Sequence, residues 1–173
     1  MLLAIAVSYV LVHGSNQLMS GPNISLDVAL AKRDAYGSDF MWFKKDGREY
    51  LIRDAGTLAR IQTLFDRAHV LKPEAKRIKY ELRPLEDREE QLDREIDRLT
   101  DRDDDDPALT AAEEKHLDSL RAEMKQLRPK MHALERQEDE IDRKRDALEA
   151  EAERDMVPIL DEAIRNGTAT KPR

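Results

Sequence analysis

The chain has 173 residues, a net charge of −7, 39% charged residues and only 5% aromatic residues. That balance suits helices that bury one stripe and leave the rest in water, and it is poor in the apolar residues a compact enzyme requires. With no cysteine, disulfides, thiol catalysis and zinc–thiolate sites are excluded, and interleaved charges on an acidic chain argue against nucleic acid, which needs clustered Lys and Arg.

Met1 to Val12 is apolar. The run is too short to cross a bilayer as a helix, and no Lys or Arg precedes it as in a signal peptide. A signal remnant and a buried strand are the two readings. Ser8 to His13 reads as the strand, closed by Gly14-Ser15-Asn16. A second strand follows at Gln17 to Ser20 and ends at Gly21-Pro22, with Met1 to Val7 assigned to neither reading. Ser25 to Tyr36 reads as a short helix: Ser25 caps it, Ile24 staples onto Ala29, Leu26 and Leu30 share a face, and Gly37 ends it.

Asp39 to Asp54 reads as a β-hairpin turning at Asp46-Gly47, a pair suited to positive φ at both positions. Centring the turn there sets Lys44 opposite Glu49, Phe43 opposite Tyr50, Trp42 opposite Leu51 and Met41 opposite Ile52. One face then carries Met41, Phe43, Tyr50 and Ile52, the other Phe40, Trp42 and Leu51. Both faces are apolar, so both must be covered. Residues 1–56 are thus expected to form a small α+β base that is electrically neutral, its six Lys and Arg matched by six Asp and Glu.

From Thr57 one helix is expected to run to Leu99, with Lys72-Pro73 as an interruption. Its apolar stripe continues as Ile78, Leu82, Leu85, Glu89, Leu92, Ile96 and Leu99. A second stripe runs Leu117, Leu120, Met124, Leu127, Met131, Leu134, Glu138, Ile141, Arg145 and Leu148. Steps of four and three mark both as coiled-coil seams. Folding the chain at the acidic turn, residues 100–110, pairs Leu92 with Leu120, Leu85 with Leu127, Leu82 with Met131 and Ile78 with Leu134, and brings Pro84 and Pro129 to one level. Two bends at one level keep two helices in contact where one would splay them. The expectation is an antiparallel helical hairpin over residues 57–156, with Thr110 to Glu113 as a capping box and Asp155 facing Leu58. A hairpin swapped between two copies uses the same seam. After Pro158, Ile159, Leu160, Ala163 and Ile164 form a C-terminal helix over residues 157–173. It is expected to return to the open face of the sheet and stop at Asn166-Gly167, with Thr168 to Arg173 frayed.

The chain offers little for chemistry. Asp101, Asp103 and Asp105 have the alternation of a calcium loop, but Asp106 and Ala112 stand where such a loop needs Gly and Glu. The plainer reading is a solvated turn. His13, His69, His116 and His132 lack a second ligand at metal spacing. There is neither a Gly-x-Ser-x-Gly elbow nor a phosphate-binding glycine loop. Trp42 reads as core, with stacking on a ligand as the alternative. Glu89, Glu138 and Arg145 are polar seam positions that either fix register or weaken the seam. No catalytic, metal or cofactor residue is therefore assigned.

The segments Ser8-Tyr-Val-Leu-Val-His-Gly14 and Asp39-Phe-Met-Trp-Phe-Lys-Lys-Asp-Gly-Arg-Glu-Tyr-Leu-Ile-Arg-Asp54 resemble an uncharacterised bacterial extracytoplasmic module. It is similar to regions of zinc-peptidase sensors of the β-lactam antirepressor type, where such a hairpin precedes a helix and a long helical tract. The resemblance covers roughly residues 8–70. It implies a periplasmic or membrane-associated location and a sensing or interaction role, without catalysis, because the peptidase's zinc motif and membrane spans are missing. The function expected is a non-enzymatic protein-interaction or scaffolding module of the bacterial envelope, with protein partners on the hairpin and a possible homo-oligomer. A holdase-like chaperone and a ligand-sensing domain are the alternatives.

Overall fold

A computed structural model describes residues 7–14, 16–22, 24–101 and 108–172. The elements are β1 (Ser8–His13), β2 (Asn16–Ser20), α1 (Leu26–Tyr36), β3 (Phe40–Lys45), β4 (Arg48–Ile52), α2 (Ala55–His69), α3 (Lys72–Thr100) and α4 (Ala111–Arg165). They divide into two compact units, one of residues 1–67 with 148–173 and one of residues 68–147.

The first unit is an antiparallel sheet in the order β2-β1-β3-β4, with helices on both faces. Strand alternation builds two cores at once. Tyr9, Leu11, Met41, Phe43 and Ile52 point to one face, and Val10, Val12, Phe40, Trp42 and Leu51 to the other. The β3–β4 register is the expected one, from Met41 opposite Ile52 to Lys44 opposite Glu49. Its turn has φ of 49° at Asp46 and 74° at Gly47, the doubly positive geometry that matches strand twist. Gly21 is also required. A Cβ there would lie 2.5 Å from the Ser8 Cα, at a φ of 109°.

Helix α1 covers the second core with Ala29, and Ile24 and Tyr36 pack alongside. Ser25 accepts the Val28 N–H, and Gly37 closes the helix at φ 89°. The face differs from expectation, since Leu26 and Leu30 are exposed at 58% and 43%. The sheet fills this core with large aromatics, so the helix supplies the small Ala29 and lays Tyr36 edge-on to Phe40, 5.5 Å between centroids. Leu26 and Leu30, roughly 60° and 100° around the helix from Ala29, then face water.

The first core is closed by Leu58, Ile61 and Phe65 of α2 and by Ala152, Met156, Leu160 and Ala163 of α4. The C-terminal helix therefore does pack on the sheet, but as the end of α4, which runs without interruption through Pro158. Helix α2 belongs to this unit because its apolar stripe packs there. Asp54 starts α2 earlier than Thr57, accepting the Thr57 N–H at 2.7 Å and its hydroxyl at 2.8 Å. Arg60 pairs with Glu162 and Arg67 with Glu151, so α2 meets α4 further along than a facing of Leu58 by Asp155 requires. The expected single helix is broken, α2 ending at His69 and α3 starting at Lys72. Pro73, in the first turn of α3, cannot donate and disfavours helical geometry just before it.

The tail is docked where fraying was expected. Thr170 exchanges two backbone hydrogen bonds with Leu51, of 2.8 and 2.9 Å, and Ala169 is buried in the first core. The tail thus covers the outer edge of β4. Truncation after Gly167 is expected to cost about 1–3 kcal/mol, two net backbone hydrogen bonds plus a methyl contact. Urea unfolding measures the cost, and an unchanged midpoint would show the tail to be idle.

In the second unit α3 and α4 form the antiparallel hairpin. Leu82, Leu92, Leu120, Met124, Leu127 and Met131 make one buried cluster, bordered by Leu85, Ile96, Leu99 and Leu134. Ala75, Ile78 and Ile141 make another, bordered by Leu71 and Leu134. Pro84 and Pro129 both lie inside their helices. The capping box forms: Glu113 accepts the Thr110 N–H at 2.7 Å, and Thr110 Oγ1 accepts the Glu113 N–H at 3.3 Å. Of the acidic turn only Asp101 and the Ala108 to Thr110 segment are described; Asp103, Asp105 and Asp106 of the calcium-loop pattern lie outside the described residues.

Candidate functional site

Trp42 sits on β3 with its ring in the second core, 5% exposed. Its indole N–H donates to Glu49 Oε2 at 3.0 Å, from the neighbouring strand. Lys32, one turn before Tyr36 on α1, places its ammonium 4.2 Å above the indole centroid and 3.5 Å from the same carboxylate. Helix spacing explains this, because Ala29, Lys32 and Tyr36 fall on one side of α1. The three groups form a closed set: the ring face has a cation, the cation has an anion, and the indole donor has an acceptor. A cleft of about 410 Å³ opens beside them, lined in part by Ser8, Ile24, Lys44 and Asp46. A ligand stacking on Trp42 would have to displace Lys32 first. Lys32→Met is expected to cost about 0.5–2 kcal/mol, the worth of a partly desolvated cation–π contact. It is also expected to raise Trp42 accessibility to iodide, read by fluorescence quenching; unchanged stability and quenching would show the contact to be incidental.

His13 meets Asp39 at 3.1 Å. Asp39 also accepts from the Gly14 N–H at 3.1 Å and from Ser38 at 2.9 Å, and these donors, Gly14 foremost, hold its carboxyl below the usual range. With all three donors on one carboxylate, the group clamps the β1–β2 turn to the start of β3. It does not form a relay, because the serine hydroxyl donates to the acid and not to the imidazole. Tyr9 is pushed upward by burial and by the Glu153 carboxylate, to which its hydroxyl donates at 3.2 Å. His116 lies 3.8 Å from Glu95, and His132 lies 2.8 Å from Glu135. No group of metal-binding side chains occurs among the described residues.

The hairpin unit is a charged surface over a closed seam. Arg88 binds Glu123 bidentately, at 2.7 and 2.9 Å. The pairing raises the Arg88 guanidinium further and lowers the Glu123 carboxyl. Two of the polar seam positions are half-buried and paired across the helices: Glu89 with Arg128 at 2.9 Å and Glu138 with Lys79 at 3.2 Å. Arg145 pairs within α4, with Asp142 at 3.0 Å. Glu89 and Glu138 therefore help to fix register, since a slip would strand each beside apolar neighbours.

Depressed carboxyls are expected to make both units acid-sensitive. Asp39, Asp54 and Glu123 each have a folded pKa below the ordinary value, through hydrogen bonds from Gly14, Thr57 and Arg88. Their stabilisation is complete above the ordinary values of 3.8 for Asp and 4.5 for Glu, and is lost as pH falls through the lowered folded values. Thermal melts are expected to be flat from neutral pH to about 5 and to drop below about 4. A melting temperature that rises on acidification would contradict this.

Among the described residues no helix is long and apolar enough to cross a membrane. Comparisons with family models, with curated proteins and with solved structures give no match.

Proposed function

We propose that the protein is a non-enzymatic interaction module of the bacterial envelope, and that its hairpin unit, residues 68–147, binds a protein partner. The observation that carries this reading is the hairpin's self-sufficiency. Most of its apolar residues are buried in its own seam, and cross-helix ion pairs such as Arg88 with Glu123 hold its outer faces in fixed relation. A rigid charged surface of this kind suits recognition more than catalysis. The envelope location rests on the resemblance of the hairpin Asp39 to Asp54 to extracytoplasmic sensor regions. A ligand-sensing role has less support, because Lys32 already covers the Trp42 face. A holdase role needs broad exposed apolar surface, and the large apolar residues exposed on the described part of this unit are Val70 and Tyr80.

The test is site-specific photocrosslinking in the source cells. A photoreactive residue is placed singly at exposed hairpin positions, including Ala122, Arg136 and Glu86, and at Asp34 of α1 as reference. Discrete protein adducts are expected from hairpin positions and not from Asp34. Equal labelling at Asp34, or none along the hairpin, would overturn the proposal.

A further inference from the structure

On this acidic chain one stretch of the hairpin has the opposite sign. Arg121, Lys125 and Arg128 recur at steps of four and three along α4, and His132, held by Glu135 at 2.8 Å, follows four residues on, so they share one side of the helix. They border a groove of about 500 Å³ whose apolar lining is Ile96 of α3 with Met124 and Pro129 of α4. Asp93 is the acid in the lining, and Arg128 lies 3.8 Å from it while binding Glu89. Arg121 and Lys125 are exposed and make no ion pair with a described residue. Pro129 has no N–H to offer the Lys125 carbonyl one turn earlier, so a backbone acceptor on the same side lacks its helical donor. From Arg121 to His132 the groove side of α4 spans about 16 Å, three helical turns.

An apolar floor with basic residues along one wall is complementary to an amphipathic helix with an apolar stripe and an acidic flank. Met124 suits such a floor, because a thioether adapts to differently shaped anchors. We infer that this groove is the docking site for an acidic amphipathic helix of a partner protein. Arg121 and Lys125 meet its carboxylates, and Ile96, Met124 and Pro129 receive its apolar anchor. The inference rests on the reading of the hairpin as the interaction unit and names where and what it binds.

The test uses the full chain and a labelled helical peptide with leucines at i, i+3, i+4 and i+7, flanked on one side by glutamates. A peptide with glutamine in place of every glutamate is the comparator. The acidic peptide is expected to bind, more weakly as salt rises. Its affinity is expected to fall about tenfold or more in the Arg121→Glu, Lys125→Glu double variant. Circular dichroism of that variant should match the parent, since both side chains are exposed. The glutamine peptide is expected to bind about tenfold more weakly than the acidic one. In the peptide assay the inference is overturned by no binding of the acidic peptide at about 1 mM, equal binding of both peptides, or equal binding by parent and variant. Salt-sensitive self-association abolished by the double variant would assign the groove to a second copy, and preferential binding of a single-stranded oligonucleotide would assign it to phosphates; either overturns it. Crosslinks along the hairpin that spare Ala122, beside Arg121 and one turn from Lys125, would sink this inference and leave the proposed function standing, whereas a hairpin without crosslinks would sink the function itself.

Discussion

Replacing Leu160 by alanine is expected to destabilise the sheet unit by about 2–5 kcal/mol. Leu160 is fully buried in the first core, the cluster that also holds Tyr9, Phe43, Leu58 and Phe65, with Met156 and Ala163 from its own helix. The substitution removes three carbons from a site walled by strands and by α2, where collapse is limited and a cavity persists. The loss is a large part of the 5–15 kcal/mol that typically holds a domain together. Urea unfolding followed by the fluorescence of the single tryptophan, Trp42, reads the sheet directly. Leu26→Ala is the matched control: the same side chain is removed where it is 58% exposed, and the change should stay within about 0.5 kcal/mol. Equal effects at the two positions would mean that the end of α4 is not core to the sheet.

The second large effect is expected in the hairpin, where Leu92→Ala should also cost about 2–5 kcal/mol. Leu92 is the most deeply buried residue of its seam cluster, at 0% exposure, with Leu120 and Met124 in the same cluster. Two helices have few layers, so each buried leucine is a larger share of the total than in a globular core. By the usual scaling the helical melt, read at 222 nm, should fall by about 8 °C or more. Hydrogen exchange should quicken at the amides around Leu92 and Leu120 before it changes at β1 and β3. Protection lost first in the strands would contradict the assignment of Leu92 to the seam.

The strands were legible in the sequence because period-two alternation and the Asp46-Gly47 turn agree on a single register. The observed pairs run from Lys44 with Glu49 to Met41 with Ile52. The seams were legible for the same reason in helical period. Leu82, Leu92, Leu120, Leu127 and Met131 cluster as their spacing requires. What misled was hydrophobicity without context. Leu26 and Leu30 look like the inward face of α1, yet the helix turns Ala29 inward because Phe40 and Trp42 already fill the space. No residue between Thr168 and Arg173 is strongly apolar, so nothing in the sequence announces that Thr170 pairs with Leu51, a contact made by the backbone. Asp54 carried a signal that could have been used: an acid three residues before Thr57 is a helix cap, which also explains why α2 starts at Ala55. For the site, the Trp42 alternatives were resolvable only with Lys32 and Glu49 in place, since neither neighbours it in sequence. The basic side of α4 was hidden by averaging, because the acids before it (Glu113, Glu114, Asp118) and after it (Glu135, Glu138 to Glu140) outweigh Arg121, Lys125 and Arg128 over the helix as a whole.

The sheet unit takes its pieces from both ends of the chain, residues 1–67 and 148–173. A ribosome will therefore have delivered every strand well before Met156 and Leu160 exist to cover them. During that interval one apolar face of β1 and β3 has only α2 for shelter, and the half-made molecule is most exposed to wrong pairing. The inserted stretch lengthens that wait, but α3 and α4 meet through contacts close in sequence and can zip as they are made. Each zipped layer shortens the free loop that the late-arriving residues must close, which lowers its entropic cost.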